Sequence, residues 1–217
     1  MPSILYLDIE TCPAAPGWSP PEPIEAAGNL KDPEKIAADI AAKTAKAYGA
    51  TSFDVHEGRL LCVGLAVDDD EPTICYDEGL TDTPRLLDEV AAAWNDALRR
   101  GNGRAVICGH NVAAFDLPWI WRLAVKHRHL LAASLPWRKW GDGYADTMQM
   151  WSLTNPQERV SLAKIARFLG IGGKDEGLTG AEVWPAYQRG EHDRIARYCA
   201  GDVRLVREVY RTMMVWW

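Results

Sequence analysis

The feature that most constrains this chain is the segment ILYLDIET at residues 4–11, close to the N-terminus. Its apolar run is typical of a strand buried on both faces. Because side chains alternate along a strand, Asp8 and Glu10 should project to the same side, about 7 Å apart. Two like charges about 4 Å apart repel by roughly 4 kcal/mol at an effective dielectric near 20, and a divalent cation would relieve this repulsion. A strand that simply ends in polar residues explains the segment equally well.

Length and charge set the class of protein. The 217 residues, 47% hydrophobic and 25% charged, fit one sizeable α/β domain that has room for an insertion. The formal net charge of −6 gives the chain as a whole no attraction for a polyanion. Any contact with nucleic acid must therefore come from local basic patches or from bound cations.

Cysteine usage and apolar runs predict the compartment. The five cysteines are scattered without a CxxC pair, as expected of small buried thiols in a reducing environment. No signal peptide, lipidation signal or run of 18 apolar residues is recognisable. We therefore predict a cytoplasmic protein that does not enter a membrane.

Residues 13–55 interrupt two strands and are predicted to be an insertion. Five prolines between Pro13 and Pro23 impose an extended connection. Asp32 and Pro33 then form an N-cap and first turn, and Gly49 closes the helix. The segment is either a structural addition that only packs on the domain or a lid over the end of the first strand. We predict one domain over residues 1–217.

The other elements follow from apolar periodicity and turn signals. Strands are predicted at 59–67, 72–76, 105–108 and 145–150, and helices from 83, at 118–128, at 161–169, from 179 and at 193–214. The acidic run at 68–71 is interpreted as a solvated hairpin tip. The basic cluster of Arg122 with residues 126–129 is either a solvated helix end or a phosphate contact. The loop at 135–141 interleaves tryptophans with basic residues, which suits either base stacking or anchoring to the core.

The last helix carries a carboxylate where an apolar side chain is expected. Asp202 falls within the stripe formed by Ile195, Cys199 and Val206. A buried carboxylate must meet a cation, a metal or several hydrogen-bond donors. Tyr198 lies one turn earlier and faces the same place. A functional role explains this pair better than a structural one.

Asp116 is a third acidic candidate. It stands just before a predicted helix, so on its own it is best explained as an N-cap. Together with Asp8, Glu10 and Asp202 it instead suggests a shared acidic site.

These motifs resemble the DEDD superfamily of 3′–5′ exonucleases, which has the ribonuclease H-like fold. The resemblance rests on DIET at 8–11, on NVAAFD at 111–116 and on Tyr198 four residues before Asp202. Tyr198 resembles the tyrosine of the DEDDy branch. The histidine branch carries its general base five residues before the last aspartate instead, and that position is Arg197 in this chain. The GHN, FDLP and GKD segments are similar to stand-alone exonucleases related to the proofreading domain of B-family DNA polymerases. The insertion and the lack of a polymerase region depart from that pattern.

The resemblance implies a mixed five-stranded sheet flanked by helices, with a helical insertion after the first strand. It also implies two Mg²⁺ or Mn²⁺ ions, one held by Asp8, Glu10 and Asp202 and the other by Asp8 and Asp116. Tyr198 would orient the attacking water, and the products would be nucleoside 5′-monophosphates. The implied substrate contacts are Thr11, Asn111, Phe115 and Lys174. The expected partner is single-stranded DNA or an unpaired 3′ end.

Two other functions are considered. An RNA 3′–5′ exonuclease of the ribonuclease D type would share the same acidic site, and RNA trimming would distinguish it. A catalytically silent nucleic-acid-binding module would usually have lost one or more carboxylates, yet all four and the tyrosine are present.

Overall fold

The computed structural model describes residues 2–136, 143–155, 157–172 and 177–214. Within these ranges five strands form one sheet, namely β1 (Ser3–Cys12), β2 (Arg59–Val67), β3 (Thr73–Tyr76), β4 (Ala105–Gly109) and β5 (Tyr144–Asp146). Their order is β3-β2-β1-β4-β5. Strands β1, β4 and β5 pair in parallel, whereas β2 and β3 are antiparallel. The predicted mixed five-stranded sheet is confirmed.

The α-helices of the described chain are α1 (Pro33–Ala50), α2 (Thr83–Arg100), α3 (Asp116–Lys126), α4 (Leu131–Ser134), α5 (Thr147–Ser152), α6 (Leu162–Phe168), α7 (Val183–Gln188) and α8 (His192–Met214). The helices of the unit that contains the sheet flank it, as predicted, whereas α1 belongs to the separate unit Thr11–Leu60. The predicted N-cap of α1 is confirmed, since the Asp32 side chain accepts a hydrogen bond from the backbone N–H of Glu34. Within the described ranges, none of the helices combines the length and apolar character that a bilayer-spanning segment requires.

The chain forms two compact units, Met1–Glu10 with Leu61–Trp217, and Thr11–Leu60. The smaller unit contains the predicted insertion. Its chain is held together locally, because the Thr51 hydroxyl accepts a hydrogen bond from the backbone N–H of Ala14 and the Tyr48 hydroxyl donates to the Ala14 carbonyl. No residue of α1 is buried. That residues 1–217 act as one exonuclease domain stays a prediction.

Strand β1 lies at the centre of the larger unit. Leu5, Tyr6 and Leu7 are each at most 1% exposed, which agrees with the prediction of a strand covered on both faces. Tyr6 belongs to the same apolar cluster as Ile165 of α6 and Val206 of α8. The end of β1 that carries the acidic residues is therefore held between the neighbouring strands and α8.

Helix α8 approaches the sheet very closely at Gly64 of β2. A β-carbon at Gly64 would lie 2.8 Å from both the Cys199 Sγ and the Val203 Cγ2 atoms. Those contacts are shorter than van der Waals distance, so the helix reaches its observed position only because residue 64 lacks a side chain. This close approach brings Tyr198, Cys199 and Asp202 down onto the sheet.

The prediction of a strand over 145–150 is wrong beyond Asp146. Strand β5 ends at Asp146, and helix α5 begins at Thr147. The reason is a cap: the Asp146 Oδ1 atom accepts hydrogen bonds from the backbone N–H groups of Met148 (3.0 Å) and Gln149 (3.3 Å). An aspartate that satisfies the first helical N–H groups outweighs the strand propensity of the apolar residues that follow.

The same carboxylate also fixes the turn after β4. Its Oδ1 atom accepts from the backbone N–H of Asn111 at 2.9 Å, and its Oδ2 atom accepts from that of Ala113 at 3.1 Å. Asn111 adopts a left-handed backbone conformation, with φ of 62°. Asp146, only 3% exposed, thus ties the ends of β4 and β5 together beside the start of α3.

Replacing Gly64 with alanine should destabilise the protein by about 2 kcal/mol, because the new methyl group forces α8 away from β2. Urea unfolding measures the change. Gly201→Ala in α8 is the matched control: a β-carbon there meets nothing within 4 Å, so this variant should be about 0.5–1 kcal/mol more stable. Equal unfolding midpoints for Gly64→Ala and the wild type would contradict the proposed close packing.

Replacing Asp146 with alanine should cost about 3 kcal/mol in the free energy of unfolding, because several backbone N–H groups lose their acceptor. The exposed Glu208 of α8 offers a control with the same charge change, and Glu208→Ala should shift stability by at most about 0.5 kcal/mol. If the free energy of unfolding falls no more than in the control, water can replace the hydrogen bonds that the Asp146 carboxylate accepts.

Candidate active site

Two carboxylates lie side by side near the end of β1. One oxygen atom of Asp8, one of Glu10 and the Cys199 Sγ atom all lie within 4.8 Å of one another. Glu10 is buried and Asp8 is half-buried. The alternation along β1 thus brings the two side chains to the same side, as the sequence predicts.

The Cys199 thiol takes part in this cluster, which sequence reasoning did not anticipate. A hydrogen bond with Cys62, followed by burial, raises the pKa of Cys199 well above its usual range. Its Sγ atom also contacts the Asp8 carbonyl oxygen at 3.9 Å. A protonated thiol is a poor ligand for a hard cation, so the carboxylates are the better donors here.

Helix α8 supplies the second pair, Tyr198 and Asp202. Both side chains are 6% exposed although they belong to a helix rich in arginine. Burial raises the pKa of Tyr198 above its usual range, and the charges of Asp202, Glu10 and Asp8 raise it further. The phenol also forms a hydrogen bond with Asp202. The structure therefore brings carboxylates from β1 and α8 within electrostatic reach of one phenol.

Asp116 is the fourth carboxylate, and it is not the N-cap of α3. Phe115 occupies the cap position without a side-chain bond, and Asp116 is the first helical residue. Its Oδ1 atom accepts a hydrogen bond from the backbone N–H of Ile9 at 3.1 Å, which links α3 to β1. Burial raises the pKa of Asp116 to about 7, with contributions from the charges of Asp146 and Asp202. Asp116 thus interacts with both β1 and the α8 aspartate.

This donor set fits divalent cations. Four carboxylates converge from β1, α3 and α8, and burial together with mutual repulsion raises the pKa of Asp116 to about 7. Oxygen donors of this kind suit Mg²⁺ and Mn²⁺, which would offset the repulsion. The residues that would hold such ions are Asp8, Glu10, Asp116 and Asp202.

Of the predicted substrate contacts, Asn111 and Phe115 lie in the turn that precedes Asp116. The Asn111 carbonyl accepts hydrogen bonds from the backbone N–H groups of Ala114 and Phe115, at 3.1 and 3.0 Å. Its side-chain Oδ1 atom accepts from Arg159 at 2.9 Å. The Phe115 ring packs against Trp119, with ring centroids 5.9 Å apart. Arg159 was not predicted, because one exposed arginine in a polar stretch gives no sequence signal.

The other two predicted contacts are placed differently. Thr11 belongs to the smaller unit, where its hydroxyl donates a hydrogen bond to the Ser52 carbonyl at 2.6 Å. Lys174 lies outside the described residues, as does the Trp137–Gly141 part of the loop for which base stacking was considered. Substrate binding by these residues stays a prediction.

The fold is shared with a solved polymerase. The chain is similar to the family B DNA polymerase from the hyperthermophilic archaeon Pyrobaculum calidifontis, with a TM-score of 0.66 and 14% sequence identity. The similarity covers 98% of this chain but 24% of the polymerase, so the chain spans about a quarter of that protein's length. At this identity the likeness establishes the fold alone. No curated protein sequence compared with this chain is significantly similar to it.

A family model matches residues 99–216, more than half of the chain. The matched region contains Asp116, Tyr198 and Asp202, whereas Asp8 and Glu10 precede it. The family is described as a predicted 3′–5′ exonuclease related to the exonuclease domain of PolB. The chain therefore belongs to this family of predicted 3′–5′ exonucleases.

Proposed function

We propose that this protein is a metal-dependent 3′–5′ exonuclease of the DEDDy type. It hydrolyses phosphodiester bonds at the 3′ ends of single-stranded DNA or at unpaired 3′ ends, and it releases nucleoside 5′-monophosphates. The observation that carries the proposal is the convergence of the Asp8, Glu10 and Asp202 carboxylates on the Tyr198 phenol. The family of the chain supports the reaction, and its relation to a DNA polymerase domain favours DNA over RNA.

Two Mg²⁺ or Mn²⁺ ions are the proposed cofactors. Asp8, Glu10 and Asp202 would hold one ion, and Asp8 with Asp116 would hold the other. When bound, such ions lower the pKa of a water molecule and neutralise charge on the attacking and leaving oxygens of an in-line displacement. The protein contributes a fixed arrangement of ligands, because Asp116 is bonded to the backbone of β1 and Asp202 projects from a helix packed on the sheet.

Tyr198 acts as a hydrogen-bond donor in this proposal. A phenol has an ordinary pKa of about 10, and burial raises the pKa of Tyr198 further, so its hydroxyl keeps its proton near neutral pH. A protonated phenol cannot accept the proton of the attacking water, but it can fix the orientation of that water. The side chain therefore serves in positioning, and activation of the water depends on the ions.

Asp8→Ala and Asp202→Ala should each lower the rate of 3′-end digestion by about 10³-fold or more, because loss of a ligand removes several kcal/mol of charge stabilisation. The assay uses 5′-labelled single-stranded DNA, duplex DNA and RNA, each with Mg²⁺, Mn²⁺ or EDTA. Circular dichroism checks folding, and Glu208→Ala serves as the control for a lost carboxylate.

Wild-type rates in either variant would remove that residue from the proposed site. Faster trimming of RNA than of DNA would assign the enzyme to RNA instead. Binding without any Mn²⁺-stimulated turnover would identify a silent binding module.

Tyr198→Phe should lower kcat by about 10- to 100-fold, because one hydrogen bond to a reacting water is lost. The apparent affinity for Mn²⁺ should change little, since the carboxylates remain. Single-turnover digestion and Mn²⁺ titration measure the two quantities separately. An unchanged kcat would exclude Tyr198 from the mechanism.

A further inference from the structure

We infer that the outer face of α3 binds the nucleic-acid strand on the 5′ side of the cleaved nucleotide. We define this α3 face as Pro118, Trp121, Arg122 and Lys126, together with the pocket beside them. The inference rests on the proposed function, since it names where the rest of the same substrate lies. It assigns a role to the basic cluster that the candidate active site leaves unexplained.

A pocket of about 600 Å³ opens beside the first turns of α3. Its lining residues come from the turn after β4, from α3, and from the chain around β5, and they include Ala113, Ala114, Pro118, Trp121, Arg122 and Tyr144. The volume falls within the roughly 300–1,000 Å³ range of small-ligand pockets. The lining includes two aromatic side chains, Trp121 and Tyr144, and aromatic rings are the groups against which bases stack.

The pocket is continuous with the candidate active site along the chain. Ala113 and Ala114 line it, and they belong to the turn that leads into Asp116. The Trp121 indole is held in place, because its Nε1 atom donates a hydrogen bond to the Ala132 carbonyl at 3.2 Å. A strand whose 3′ end lies at the carboxylates would then place an upstream base in this pocket.

A basic strip on α3, formed by Arg122 and Lys126, continues from the pocket along the helix. Pro118, Arg122 and Lys126 are four residues apart and share one face of α3. Arg122 lines the pocket, and Lys126 lies one turn further from Asp116. Both side chains are exposed, as are His127 and Arg128 that follow. From Pro118 to Lys126 the helix rises by about 12 Å, which gives room for successive phosphates.

The cations of α3 differ from those of α8. Arg204 pairs with Glu71 at 3.1 Å, and Arg211 pairs with Asp69 at 2.7 Å, so the acidic hairpin tip neutralises these two side chains. Within the described part of the chain, Arg122, Lys126 and Arg128 form no ion pair. They are thus available to a polyanion, although favourable interaction with the helix dipole is also expected of cations at this end. In a chain with net charge −6, this strip is a local complement to phosphate.

Single-stranded nucleic acid fits the α3 face better than an acidic protein does. Aromatic rings beside cations, in a pocket next to a proposed phosphodiesterase site, match bases and phosphates in alternation. An acidic protein would use the cations but would have no need of a stacking pocket beside the Asp116 turn. We therefore assign the face to the substrate strand.

The test compares two double variants that remove the same charge. Arg122→Ala/Lys126→Ala changes the α3 face, and Arg99→Ala/Arg204→Ala removes two exposed arginines that are ion-paired with Asp96 and Glu71. The substrates are a long oligothymidylate and a thymidine dinucleotide, which is too short to reach Lys126. Steady-state kinetics give KM and kcat for both. Fluorescence anisotropy in EDTA gives binding of the long strand at several salt concentrations.

The α3 variant should raise KM for the long strand about tenfold with kcat unchanged, and it should raise KM for the dinucleotide less, because only Arg122 lies within reach of that substrate. The slope of log affinity against log salt should decrease by about 1.4, because two phosphate contacts are lost. The control variant should behave as the wild type. An unchanged KM and salt slope in the α3 variant would overturn the inference while dinucleotide hydrolysis kept the proposed function intact.

An abasic scan of the oligothymidylate tests the pocket without altering the protein. Removing the base that occupies the pocket should weaken binding by about 5- to 100-fold at one position, the loss expected for one stacked base. Equal affinity at every position would exclude base stacking in the pocket. If no substrate is hydrolysed by the wild type, the proposed function fails, yet anisotropy in EDTA still decides whether the α3 face binds the strand.

Discussion

The close contact between α8 and β2 at Gly64 is the constraint on which the candidate site depends. Because residue 64 has no side chain, Cys199 and Val203 can lie almost on the backbone of the sheet. Asp202 and Tyr198 are carried by the same helix, so their distance from β1 follows from this contact. The acidic cluster is thus set by apolar packing, and its own electrostatics oppose its formation.

Repulsion within the acidic cluster shifts the pKa values of two of its members. Burial and neighbouring carboxylates raise the pKa of Asp116 to about 7 and raise that of Tyr198 above its usual range. Such an arrangement reduces stability unless something positive binds, and its persistence is typical of functional sites. Asp146 stabilises the surroundings by accepting backbone hydrogen bonds from the turn that precedes α3. The site therefore combines rigid backbone support with unfavourable charge, which suits a binding site for divalent cations.

Charge is divided between two surfaces with different consequences. On α8, exposed arginines form ion pairs with the acidic tip between β2 and β3. On α3, the basic side chains are exposed, and within the described residues they form no such ion pairs. A protein of net negative charge can in this way keep one strip for a polyanionic substrate.

The amino-acid sequence by itself determined most of the strands and helices and the identity of the candidate acidic residues, and the family resemblance implied the mixed five-stranded sheet. Local patterns gave these predictions of strands and helices: the apolar run of β1, the N-cap at Asp32 and the periodicity of α8. Such patterns can be read without knowing which residues pack against the segment. Tertiary structure alone decided the rest. It ended β5 at Asp146, because that side chain caps α5 and braces a turn contributed by another strand. It placed Asp116 against the Ile9 backbone and Cys199 beside Asp8, and it gathered the α3 face from three separate segments. Each of these contacts joins residues distant in sequence, so no periodicity or propensity within a segment can encode them.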